Sequence, residues 1–224
     1  MSWESTAEYY RIINQAVYNK LGGSHSSDCF IYSFDFEEID RLQHEGLWDE
    51  MGELLAEKAA ILEKAGAEII LLCTNTMHLL AETIESRISI PFLHIVDVVG
   101  KEIKAKDISK AGLLGTKFTM EKRFYKDRLS GSFDIEVLVP DPEEREFIHH
   151  VIYRELIQGK ISMDSKKQFV EIADRLRKEG AQGIILGCTE IPLILKQDDC
   201  EIPLFDTTYL HAMAGVNLAL GKER

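Results

Sequence analysis

The chain has 224 residues, enough for one large domain or two of about 100 residues each, with a core that needs no disulfide or metal staple. Its composition, 45% hydrophobic and 29% charged, is that of an ordinary water-soluble globular protein. A formal net charge of −12 argues against nucleic acid and anionic membranes as partners, and leaves any acidic ligand to be held by local groups.

Four cysteines, Cys29, Cys73, Cys188 and Cys200, are scattered without a CxxC pair. That pattern reads as reduced thiols, with neither a disulfide framework nor a zinc site. No basic leader followed by an apolar run opens the chain, and no apolar run approaches 18 residues, so the expected location is the cytoplasm.

Along the chain, short apolar runs alternate with amphipathic ones. Residues 3–14 ("WESTAEYYRIIN") read as helix, 29–33 as strand, 50–65 ("EMGELLAEKAAILEKA") as helix, and 68–72 and 92–95 as strands. Then come strands at 111–114 and 135–139, a charged helix start at 141–147, a helix at 165–179 ("SKKQFVEIADRLRKE"), and strands at 183–186 and 204–205. The two long amphipathic stretches stop at Gly66 and Gly180, as helices should. Strands apolar on both sides are covered on both faces, so the fold class is α/β with mostly parallel sheets flanked by helices. The runs "KEIKAK" and "RLRKEG" read as solvated helix faces, and His149-His150 as solvent-facing or interfacial.

The chain also repeats itself. "GAEIILLCTNTMHLL" from Gly66 and "GAQGIILGCTEIPLIL" from Gly180 align at an offset of 114, which sets Thr74 on Cys188. "ISIPFLHIVD" parallels "CEIPLFDT", and "FTMEKRFYKDRL" at 118–129 parallels residues 3–14. The expected halves are 1–97 and 98–206, with a last helix at 207–224 returning to the first half. The second copy has a strand, "KAGLLG", ahead of its helix; the matching strand of the first copy would fall before Met1. Either that strand is absent from these 224 residues or the first sheet is built without it.

In open α/β sheets ligands sit beyond the carboxyl ends of strands. Thr74 and Cys188 both follow a strand and precede a helix, so the duplication predicts that they face one another across a cleft. A cysteine at a helix start is expected to have a lowered pKa, and the same free N–H groups can cradle a carboxylate. Asn75, Thr76, Thr189 and Glu190 follow at matching positions, suited to capping or to orienting a ligand. If the strand runs on, period two turns Cys73 away from the cleft and leaves Thr74 facing it. His78 and His94 read either as tuning groups or as hydrogen-bonded core residues.

"CTNTMH" and "GCTEIPL", together with "MSWEST", "LLGT" and "FDT", resemble the signatures of the aspartate/glutamate racemases, in the branch of aspartate and broad-specificity amino-acid racemases. The resemblance covers almost the whole chain. It implies two pseudosymmetric α/β halves with the site in the cleft between them, a homodimer, a small acidic amino-acid substrate, and chemistry without pyridoxal phosphate or metal. It also implies a cysteine on each wall, and members normally carry a glycine-rich first strand ahead of "MSWEST". Here Cys188 matches the second cysteine, whereas Thr74 stands in place of the first. A threonine hydroxyl can deliver a proton or position water but is a poor base, so catalysis should be lopsided, with the L enantiomer favoured by the resemblance. Gln43 resembles a substrate-contacting position, and the main chain of Met1 would line the cleft. Two other readings stay open: a single-cysteine decarboxylase or isomerase of a small dicarboxylic acid, and a non-catalytic amino-acid binder.

Overall fold

In a computed structural model describing Ser2 to Gly221, the chain divides into two compact units. One comprises the residues up to His94 together with those from His211 on, and the other Ile95–Leu210.

The first unit opens with α1 (Trp3–Leu21), whose N-terminus is capped by the Ser2 hydroxyl accepting from Ser5 N. After an irregular segment come α2 (Phe36–His44) and α3 (Trp48–Lys64). Gly66 follows α3 at φ +106°, a left-handed stop that other residues resist. The strand β1 (Ile70–Leu71), the short helix α4 (Ala81–Glu85) and β2 (Phe92–Leu93) follow. β1 and β2 pair in parallel, Ile70 beside Phe92 and Leu71 beside Leu93. One apolar cluster of this unit gathers Ile39, Leu42, Met51, Leu55, Met77 and Ile84 beneath α2, α3 and α4. A second joins Tyr9 and Ile12 of α1 to Ala212, and Cys73 packs against it.

The second unit runs α5 (Ile95–Lys104), β3 (Lys110–Gly115), α6 (Lys117–Glu121), α7 (Arg123–Phe133), β4 (Glu136–Leu138), α8 (Pro142–Arg154), α9 (Met163–Lys178), β5 (Ile184–Gly187), α10 (Ile191–Ile194) and β6 (Leu204–Asp206). The helix α11 (Thr207–Ala219) carries the chain from this unit into the first. All four strands are parallel in the order β4-β3-β5-β6. Leu113, Leu114, Ile184 and Ile185 are fully or almost fully buried in its sheet, as strands covered on both faces require. Gly180 ends the run after α9 at φ +102°, repeating Gly66. α8 begins as its charged sequence suggests, with a capping box between Asp141 and Glu144 and Pro142 in the first turn.

The fold class is α/β with parallel sheets flanked by helices, as the alternation predicts. Three local expectations change. Residues 29–33 have no regular secondary structure and join no sheet. The helix expected at 118–129 is broken at Lys122, whose backbone is extended (φ −67°, ψ 142°). His149 is half-buried instead of facing solvent: its Nδ1 accepts the Lys117 N–H at 3.3 Å, and its ring packs on Phe118 and Tyr153. His150 alone of that pair is exposed.

Candidate functional site

In the second unit the site is built on the end of β5. Gly187 lies beside Gly115 in the ladder. A Cβ on Gly187 would come within 2.9 Å of the Leu114 carbonyl oxygen, so only glycine lets the two strands approach here. The Thr207 hydroxyl donates to the Leu186 carbonyl at 2.8 Å, satisfying the strand where it stops. Cys188 comes next. Its thiol donates to Glu190 Oε2 at 2.9 Å, and the Thr189 hydroxyl donates to the same oxygen at 2.7 Å. Glu190 is itself buried.

This arrangement reverses the expectation of a lowered thiol pKa. Burial pushes the Cys188 thiol well above its ordinary value, and the neighbouring Glu190 carboxylate adds to the effect. The helix α10 begins only at Ile191 and has four residues, too little to offset that. At neutral pH the thiol is therefore protonated, and the acceptor already bonded to it is a carboxylate.

In the first unit the equivalent turn is tighter. β1 stops at Leu71, and the Thr74 N–H bonds back to the Leu72 carbonyl at 2.7 Å, closing a three-residue turn around Cys73. The period-two argument for Cys73 therefore has no strand to act on. Packing positions Cys73 instead: it sits against Tyr9, Ile12 and Ala212, and burial raises its thiol to about 11. Thr74 is half-buried. Asn75 and Thr76 are buried at the start of a 3₁₀ turn over Thr76–Leu80, and Asn75 makes no side-chain cap there. Gln43 is buried on α2 beside Ile39 and Leu42. Met1 lies outside the described residues.

Behind Thr74 stands a set of buried imidazoles that the motifs revealed only in part. His78 Nδ1 donates to the Thr74 carbonyl at 2.8 Å, which fixes its tautomer and leaves Nε2 buried without a partner. Its ring contacts His94 and His211, with centroids 4.7 and 5.6 Å away. His211 Nε2 donates to the Leu93 carbonyl at 2.7 Å, so its Nδ1 accepts from the Tyr9 hydroxyl at 2.8 Å. Burial lowers His78 well below the usual imidazole range and His211 to about 4. Both rings are neutral, and His78 braces the Thr74 turn from within. Tyr9 and His211 carry no motif; only their helix periodicity marks them as inward-facing.

Among the described residues no three of His, Cys, Asp or Glu are grouped to hold a metal ion. No helix is long and apolar enough to cross a membrane.

The Asp/Glu/Hydantoin racemase family model matches residues 1–215. The chain belongs to that family. A Yersinia pestis protein assigned as an Asp/Glu racemase superposes with a TM-score of 0.93 at 48% identity, over 98% of this chain and 96% of that one. PH1733, an aspartate racemase homologue from Pyrococcus horikoshii OT3, gives 0.86 at 34% identity, over 98% and 95%. The broad specificity amino-acid racemase RacX of Bacillus subtilis (strain 168) is 28% identical over 179 residues, 77% of this chain and 74% of that protein. Within this racemase family frame, the strand-end positions of the two units hold unlike groups: a thiol bonded to a carboxylate at Cys188, and a hydroxyl on an imidazole-braced turn at Thr74.

Proposed function

We propose that this chain is an amino-acid racemase acting on aspartate- or glutamate-type substrates without pyridoxal phosphate or metal. Cys188 and Thr74 are its two proton-handling groups, and L substrates are its faster ones. The observation that carries this reading is the Cys188–Glu190 hydrogen bond at the end of β5. A thiol can remove an α-proton only as thiolate, and Glu190 is the group in reach to take the thiol proton first. That transfer leaves the net charge of the pair unchanged, so it costs less in a buried site than losing the proton to water. The α-proton then moves to Cys188 Sγ. N–H and hydroxyl donors of the turns around Asn75, Thr76 and Thr189 stabilise the charge that develops on the substrate carboxylate, with Gln43 as a further contact. A proton from the Thr74 hydroxyl, renewed from water, reaches the other face of the carbanion.

The test is chiral chromatography of L- and D-aspartate and L- and D-glutamate after incubation with protein dialysed against a chelator and treated with hydroxylamine. Racemisation that survives both treatments and is lost in Cys188→Ser supports the reading. Loss of activity after either treatment overturns the cofactor-free mechanism.

One observation favours a second reading. A protonated thiol with a single carboxylate partner suits delivery of one proton to one face of a carbanion, as a decarboxylase of small dicarboxylic acids requires. Carbon dioxide released from malonate-type acids, without racemisation, would establish that alternative.

A further inference from the structure

The strand-end position of the first unit has no strand to hold it. β1 ends at Leu71, and Thr74 follows in a turn closed by its own N–H on the Leu72 carbonyl at 2.7 Å. The Thr74 carbonyl is taken by a side chain, His78 Nδ1 donating to it at 2.8 Å. The peptide planes on both sides of Thr74 are therefore each held by a hydrogen bond. Threonine is β-branched and stiff at χ1, so few hydroxyl directions remain once those planes are set.

The brace belongs to this turn and not to its repeat. At the 114-residue offset Cys188 stands for Thr74 and Pro192 for His78. Proline offers neither a side-chain donor nor a backbone N–H. The Cys188 carbonyl accepts instead from the Ile191 N–H at 3.2 Å, and the Cys188 thiol has its own side-chain partner in Glu190. The first unit uses a buried imidazole where the second uses backbone.

That imidazole is itself held on several sides. Its ring centroid lies 5.4 Å from that of Phe92, 4.7 Å from His94 and 5.6 Å from His211. His211 is tied in turn to the Leu93 carbonyl and the Tyr9 hydroxyl. His78 Nε2 is buried without a partner. A residue kept only to fill this space would be better apolar, because an unpartnered buried polar atom is costly. What the position needs histidine for is Nδ1.

We propose that His78 is a positioning residue for Thr74: through the Thr74 carbonyl it aims the hydroxyl that gives its proton to the carbanion and regains one from water. The inference rests on the reading of Thr74 as that donor. A proton donor misplaced by about 1 Å can lose on the order of 10²-fold in rate, whereas proton removal by Cys188 does not involve this turn. In D₂O an L substrate that has lost its α-proton to Cys188 has two outcomes. It regains a deuteron from the exchanged thiol and stays L, or it takes one from Thr74 and becomes D. The ratio of D product to L exchange therefore reads the Thr74 step.

The variants His78→Asn, His78→Gln and His78→Leu separate aiming from filling. Asparagine can present an amide N–H near the place of Nδ1, glutamine near that of Nε2, and leucine presents none. L-aspartate and L-glutamate are incubated in D₂O, with exchange followed by NMR and D product by chiral chromatography. All three variants should keep L exchange within about 3-fold of wild type. The ratio should fall at least ~10-fold in the glutamine and leucine variants and stay within about 3-fold in the asparagine variant. Amide exchange gives a reading free of turnover: the Thr74 and Asn75 N–H groups should exchange at least ~10-fold faster in the glutamine and leucine variants only. Thr74→Val is the control, and adding His78→Leu to it should lower the ratio no further. If the leucine variant does not fold, the contrast of asparagine with glutamine decides alone. Exchange and D formation falling together, equal ratios in the asparagine and glutamine variants, or unchanged amide exchange would overturn the positioning role. No D product from wild type, or an unchanged yield in Thr74→Val, would overturn the reading of Thr74 itself and the inference with it.

Discussion

At the residue scale the account rests on Cys188 and on what Glu190 does to it. Sequence reasoning finds the cysteine, because a strand, a turn and a repeated motif surround it, but it gives the wrong direction for its pKa. Burial and the neighbouring carboxylate decide the direction, and both depend on contacts that a motif does not display. The consequence can be measured. Glu190→Gln removes the negative charge that raises the thiol, so the thiolate limb of the pH–kcat/KM profile should move to lower pH. The rate at its plateau should fall by about 10²-fold through loss of the proton acceptor. An unmoved limb would show that Glu190 does not control the thiol. Reactivity of the free thiols should follow the same logic. With an aromatic disulfide reagent near pH 8, exposed Cys29 should react fast, and Cys73 and Cys188 should lag because burial holds both as thiols. Rapid labelling of Cys73 in the folded protein would contradict its place against Tyr9 and Ile12.

At the scale of elements, the strand ends and the imidazole set behind Thr74 make distinct predictions. Gly187→Ala puts a Cβ against the Leu114 carbonyl, a backbone group that cannot swing aside. The variant should lose about 1–3 kcal/mol of stability and misplace Cys188, which chemical denaturation and activity would show together. The histidines govern stability in acid. Burial holds His78 and His211 below the usual imidazole value of 6.5, so the stability these two contribute is fully present above pH 6.5 and is lost as pH falls, toward about 4 for His211. His211 alone accounts for about 3 kcal/mol across that window. The melting temperature should drop between pH 6.5 and 4, and His211→Gln should flatten that drop while lowering stability at pH 7. A wild-type profile flat over this range would refute the buried neutral assignment. The sequence shows His78 and His94 as ambiguous helix and strand-end residues. It does not show His211, because the bond that explains it, to Leu93, spans 118 positions.

Across the whole chain, what was legible came from periodicity and repetition. The four strands of the second unit fall within a residue or two of their apolar runs, and both glycine stops adopt positive φ. The segment at 29–33 fails for a reason outside itself: a strand exists only when a neighbour pairs with it, and propensity cannot supply one. The break at Lys122 and the cap from His149 are likewise tertiary, set by how α6 packs near α8. The candidate site was legible as a pair of matching positions, through the 114-residue offset, and not as electrostatics. The claim that joins these scales is that the two strand ends differ in chemical competence, Cys188 serving as base and Thr74 only as donor. It is tested most directly by α-proton exchange in D₂O, followed by NMR separately on L- and D-aspartate and L- and D-glutamate, with Cys188→Ser alongside. The account predicts fast exchange for the L enantiomers, slow or no exchange for the D enantiomers, and loss of the L signal by at least ~100-fold in the variant. Equal exchange of both enantiomers, or exchange that survives Cys188→Ser, would contradict it.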